Sequence, residues 1–146
     1  MEQRLSLITL GVADVARARS FYESLGWRGQ ETQETVFFQA GGMALVLWGR
    51  AEAAADNGLA DTPVPAGGFG GIGLAHNVRS SSEVDAVLTA AERAGARITS
   101  PAAPTFYGGY AGSFTDPDGH PWEIAHNPAF ALSPDGSLTV PELGAG

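Results

Sequence analysis

The chain states one plan twice, and that repetition restricts its fold more than any other feature. A strand pattern, RLSLITLGV at 4–12, leads to Asp14, a residue type that caps helices. Val15, Ala18, Tyr22 and Leu25 then recur at helical spacing with Phe21 beside them, and Gly26 ends the helix. A β-hairpin pattern follows, ETVFFQA-GG-MALVLWG, whose glycine pair suits a tight primed turn. After a break the order returns. GGIGLAHNV at 70–78 reads as a strand, and Ser80 with Glu83 makes a capping box. Val84, Val87, Leu88 and Ala91 form a helical stripe, which Gly95 stops. ARITS, YAGSFT and PWEIAH read as three more strands, the last two joined by a DPDG turn. Leu25-Gly26-Trp27 and Ala94-Gly95-Ala96 mark the same point in each copy. The expectation is an α+β fold of two βαβββ modules, 4–50 and 69–127. Residues 51–68, rich in Ala, Gly, Pro and Asp, read as a linker or mobile loop, and 128–146 as a C-terminal surface extension.

Composition removes several functions. The chain has no cysteine, so disulfides, thiolate metal sites and cysteine nucleophiles are absent. That usage, and an opening (MEQRLSLITL) without a long apolar run, fit a cytoplasmic protein, and no stretch approaches the ~18 apolar residues of a membrane span. A net charge of −8 with eight scattered basic residues argues against a nucleic-acid surface, whereas it favours the approach of cations. No Gly-rich loop precedes a helix as phosphate binding needs.

Side-chain parity sorts the hairpin faces. With Gly41-Gly42 as a two-residue turn, Ala40 pairs with Met43, Phe38 with Leu45 and Phe37 with Val46. Val36, Phe38, Leu45 and Leu47 then share an apolar face suited to packing on helices. Thr35, Phe37, Gln39, Ala44, Val46 and Trp48 share the other, which mixes aromatic and polar groups. Such a face suits a ligand pocket or a dimer interface, and one residue can serve both.

LGVADVARARSFYESLGW and FTDPDGHPWEI together resemble the opening and closing motifs of the vicinal oxygen chelate superfamily, over roughly residues 4 to 127. That superfamily includes glyoxalase I, extradiol dioxygenases, fosfomycin-resistance enzymes and bleomycin-resistance binding proteins. The resemblance implies curled mixed sheets around a concave cavity within one domain at 1–127, usually in a homodimer. Metal-dependent members carry a His, a carboxylate, a His and a Glu on the first, fourth, fifth and eighth strands. Those positions fall on Leu7, Val46, Gly71 and Glu123, and no His, Asp or Glu lies within two residues of the first three. One carboxylate does not make a metal site. His120 and His126 have the wrong strand parity or lie beyond the strand ends, and His76 has opposite parity to Gly71. The resemblance is therefore strongest to the metal-free, bleomycin-resistance-like members, and no cofactor is expected.

On the same parity, Leu7 and Thr9 line the cavity from the first strand, and Gly71 and Gly73 widen it from the fifth. If Asp116–Gly119 is a four-residue turn, Glu123 lies opposite Gly112 with Tyr110 and Phe114 alongside. FYGGYAG, with Tyr107, suits a lid or a stacking wall. A carboxylate buried among such groups needs a cationic or hydrogen-bond-donating partner. The reading that follows is a metal-free small-molecule-binding protein that captures an aromatic or cationic compound in a dimer cavity. The alternatives are a metal-independent isomerase or lyase using Glu123 as general acid or base, a metal-dependent glyoxalase-like lyase, and a partner-binding module.

Overall fold

The computed structural model describes residues 1–62 and 65–144. Two compact units are formed: Met1–Gly71 with Pro117–His120, and Ile72–Asp116 with the chain from Pro121 onward. Each is built on the same topology. In the first, β1 (Leu7–Val12), α1 (Val15–Ser24), β2 (Gly29–Thr32), β3 (Thr35–Ala40) and β4 (Met43–Gly49) make a sheet of order β1-β4-β3-β2. A short helix, α2 (Arg50–Asp56), follows. In the second, β5 (Leu74–Asn77), α3 (Ser81–Ala94), β6 (Arg97–Pro104), β7 (Tyr110–Thr115) and β8 (Pro121–His126) repeat it in the order β5-β8-β7-β6. Each sheet is mixed: β1 runs parallel to β4 and β5 to β8, and the remaining pairs are antiparallel. The α+β class and the pair of βαβββ modules are as the sequence implies.

Local signals explain most element ends. The Asp14 side chain accepts from the backbone N–H of Arg17 at 2.9 Å and starts α1. Ser80 Oγ accepts from Glu83 N–H at 3.2 Å, while Glu83 Oε2 reaches back past the cap to the N–H of Arg79 at 2.6 Å. Gly95, with φ of 113°, closes α3 in the left-handed conformation that L side chains avoid. The glycine hairpin has the register expected, Ala40 with Met43, Phe38 with Leu45 and Phe37 with Val46.

Two elements are not written in local chemistry. β2 turns into β3 through Gln33 and Glu34, both at positive φ, where Asn-Gly would be the usual choice. The segment read as linker begins with α2, and Arg50 of that helix forms an ion pair with Asp61 at 2.6 Å. Residues 63 and 64 of the segment lie outside the described residues.

The cores follow from strand and helix period. In the first unit, Phe21 and Tyr22 of α1 are buried with Val36, Phe38, Leu45 and Leu47. In the second, Val84, Leu88 and Ala91 of α3 are buried, as are Phe114, Trp122 and Ile124 of the sheet. Phe114 and Trp122 stack at 6.3 Å with ring planes 13° apart. Gly112 permits the close approach of α3: a Cβ there would sit 2.5 Å from Leu88 Cδ1 and 2.9 Å from the backbone nitrogen of Ala102. The Pro117–His120 turn contributes to the first unit, where Asp118 Oδ1 accepts from Ala13 N–H and from the Arg17 guanidinium, both at 2.9 Å.

Gly112→Ala is expected to lower stability by about 1–3 kcal/mol, the usual range for overpacking against a backbone that cannot retreat. Chemical denaturation of the variant beside Gly42→Ala checks this, because nothing lies within 4 Å of a Cβ at Gly42.

Candidate functional site

Strand β8 places the carboxylate that the sequence singles out. Trp122 and Ile124 are buried, so Glu123 between them projects from the opposite face of its sheet. It is exposed there. Its neighbours are set by register: Ala75 on β5 and Ser113 on β7 are its direct partners, and Ser100 on β6 is opposite Ser113. A single row thus crosses the sheet as Ala75, Glu123, Ser113 and Ser100. Pro121, Thr115 and Arg97 form the row before it. The face is built from small and hydroxyl side chains around one carboxylate and one guanidinium. The Glu123 side chain makes no hydrogen bond or ion pair with any described residue.

This register corrects the environment expected for Glu123. Asp116–His120 forms a five-residue connection, with Thr115 paired to Pro121, so Glu123 lies opposite Ser113 and not Gly112. Tyr110 and Phe114 consequently belong to the face that α3 covers. Phe114 is core, and the Tyr110 hydroxyl donates to Asp85 Oδ1 of α3 at 2.8 Å. Neither shares a face with Glu123. Nor is Glu123 buried among aromatic side chains. Tyr107 lies at the tip of the β6–β7 hairpin, edge-on to Phe106 with centroids 5.2 Å apart. That tip is tied by Thr105 N–H to Gly109 O and by Gly109 N–H to Thr105 Oγ1, both at 2.9 Å. Gly71 and Gly73 precede β5 and take no place in its ladder.

The first sheet groups its expected residues as the parity argument requires. Leu7 pairs with Ala44, Thr9 with Val46 and Gly11 with Trp48, so Leu7, Thr9, Phe37, Gln39, Val46 and Trp48 lie on one face. Leu7 is 53% exposed, an unusual position for leucine, whereas Val46 is buried. Gln39 has a task within the fold: its amide nitrogen donates to Gly41 O at 2.6 Å and Met43 O at 3.1 Å, bracing the hairpin turn.

The second unit also holds a cavity of about 550 Å³ on the helix side of β5, lined by His76, Arg79, Glu83, Val87, Leu132 and Leu138. The C-terminal extension forms part of its wall. It is held by Arg79, which donates to Ser133 O at 3.0 Å and Pro134 O at 3.3 Å. Although more than a third of His76 is exposed, desolvation of its ring lowers its pKa below the ordinary histidine value, with Glu83 opposing the shift.

These two units match known proteins. A family model described as the Glyoxalase/Bleomycin resistance protein/Dioxygenase superfamily covers residues 4–124. The chain belongs to this superfamily. A glyoxalase-related enzyme from Fulvimarina pelagi is 38% identical with a TM-score of 0.86, over 94% of this chain and 98% of that one. A lactoylglutathione lyase from Agrobacterium tumefaciens, at 22% identity and TM-score 0.61, shares the fold over 86% of this chain and 94% of its own. So does a fosfomycin resistance protein from Mesorhizobium loti, at 19% and 0.64, over 87% and 94%. Curated protein sequences give no match.

Metal-dependent members of the superfamily raise the question of a metal here. Leu7 and Val46, where the resemblance puts two of the ligands, carry only hydrocarbon; Gly71 lies before β5, and His76 on β5 is opposite Ile124, so it is on the other face from Glu123. Among the described residues, no three His, Cys, Asp or Glu side chains converge as a metal site. The donor set does not fit a metal, since a catalytic zinc takes about three protein ligands.

The Asp85 hydrogen bond, burial and the Asp85 charge, in that order, raise the Tyr110 pKa above the ordinary tyrosine value. A phenol whose folded pKa is raised adds stability below its unfolded pKa, and that contribution is lost as pH rises through the folded value. Tyr110→Phe should therefore lose less stability than the parent protein when pH is taken from neutral to above about 10. Melting curves across that range check it, with spectrophotometric titration showing one late phenol fewer.

Proposed function

We propose that this protein is a metal-free small-molecule-binding member of the glyoxalase/bleomycin-resistance superfamily, which captures an aromatic or cationic compound in the cavity of a homodimer. The observation that carries this reading is Glu123: a carboxylate in mid-strand, facing away from the core, with no partner among the described residues and no companion ligands for a metal. A carboxylate in that setting accepts hydrogen bonds from a ligand's ammonium or N–H groups, and such charge-assisted bonds are the stronger kind. The chain's net charge of −8 draws cations toward it. Phe37 and Trp48, half-buried on their own sheet face, offer ring surface to a flat or cationic molecule. The exposed Leu7 beside them is apolar surface that a second copy or a ligand covers.

Function of this kind is stoichiometric sequestration in the cytoplasm, and Glu123 binds rather than transfers a proton. Residues 128–144 are an extension to the binding domain.

Protein purified without a metal-binding tag and treated with EDTA is expected to melt higher with benzylamine, whose ammonium can donate to the Glu123 carboxylate. Glu123→Gln should lose that shift while keeping the melting temperature of the free protein. Near one equivalent of a transition metal per chain by elemental analysis would overturn the metal-free reading. An unchanged shift in Glu123→Gln would overturn the role of the carboxylate. A monomer by light scattering would remove the dimer cavity.

A further inference from the structure

The Glu123 face carries a second charge that the sequence reading does not use. Arg97, the first residue of β6, is opposite Thr115, and Thr115 is opposite Pro121 on the strand of Glu123. Directly paired residues project from the same face, so Arg97 shares the face of Pro121 and Glu123. The neighbouring pair confirms this parity: Ile98 is opposite buried Phe114 on the α3 side. The Arg97 side chain is exposed and makes no hydrogen bond or ion pair with a described residue. Arg4, Arg17, Arg19 and Arg50, by contrast, each engage a carboxylate.

Geometry sets the span between the two charges. Arg97 and Glu123 lie two strands apart, about 10 Å, and two residues apart along the strand, about 7 Å, or about 12 Å between their Cα atoms. The ground between them is floored by Ser113 and Thr115, which supply hydroxyls but little bulk, with Ser100 beyond. Strand side chains stand roughly perpendicular to the sheet, so a gap of about 12 Å accommodates a spacer of about one ring with a hydrogen bond at each end.

We infer that the Glu123 face takes a two-ended ligand, with Glu123 receiving its cationic or N–H-donating group and Arg97 its carboxylate or other anionic group. The inference rests on the proposed role of Glu123 as the ligand's carboxylate partner, and it narrows the ligand class from cations to molecules with opposite charges at the two ends of a short spacer. Ser113 is a further contact on the cationic side, because it stands directly across from Glu123 with its hydroxyl unpaired among the described residues. An edge-strand position gives Arg97 another possible duty, since charged side chains on edges discourage strand pairing between molecules. That duty needs no ligand, so binding separates the two.

Isothermal titration calorimetry at low ionic strength with benzylamine, benzoate and 4-(aminomethyl)benzoate tests the inference. The parent protein should bind 4-(aminomethyl)benzoate at least about fivefold more tightly than benzylamine, the effect of one modest ion pair. Arg97→Gln should erase that preference without weakening benzylamine binding, and Arg97→Lys should restore part of it. Equal affinity for the two amines in the parent protein, or a preference that survives Arg97→Gln, would overturn the two-ended site while the Glu123 reading stands. If benzylamine binding is absent, or is indifferent to Glu123→Gln, the carboxylate reading fails and this inference falls with it.

Discussion

Burial of Trp122 and Ile124 is the constraint from which the candidate site follows. These side chains are covered on the α3 side of β8, one of them stacked on Phe114. Because successive strand residues alternate, the residue between them has no choice of direction. A carboxylate at that position is left exposed, within reach of solvent and of a ligand. The apolar face thus places the polar one, and a one-residue slip of β8 would bury Glu123 and expose two large apolar side chains. Register is strongly fixed for that reason. It carries Ser113, Ala75 and, two strands away, Arg97 into their places.

The same logic governs the first sheet with different residues. Val36, Phe38, Leu45 and Leu47 are buried, which turns Phe37, Val46 and Trp48 to the other face. The two units share a topology but present opposite chemistry, aromatic and aliphatic in the first, small and hydroxylic with charges in the second. Both sheets have the same strand order, with the helix packed on one face of each, and it is the opposite faces that differ.

Much of this was legible in the residues. The Asp14 and Ser80 caps, the Gly26 and Gly95 stops and the Gly41-Gly42 register all follow from local chemistry and hold in the structure. β2 was not legible, because Gln33-Glu34 carries no turn signature and its positive φ values are imposed by tertiary pairing. Helix α2 is favoured by its Ala-rich run, RAEAAAD, but the Gly, Pro and Asp that follow gave the whole segment a loop-like composition. Glu123's neighbours were misplaced for a single reason: DPDG suggests a four-residue turn, and His120 extends it to five. One signal in the sequence points to the right answer. Phe114 belongs with Trp122 and Ile124 on size and apolarity, and pairing them fixes the odd register.

The sequence by itself determined the two modules and the two faces of the β3–β4 hairpin. These depend on side-chain identity, period and capping, which act within a few residues. Only the tertiary structure decided which strands stand beside Glu123, that Tyr110 donates to Asp85 on α3, and that Arg97 shares the carboxylate's face. Such facts depend on turn length and on register across strands distant in sequence. Core packing selects among registers by burying Phe114, Trp122 and Ile124 together, and no local propensity encodes that choice.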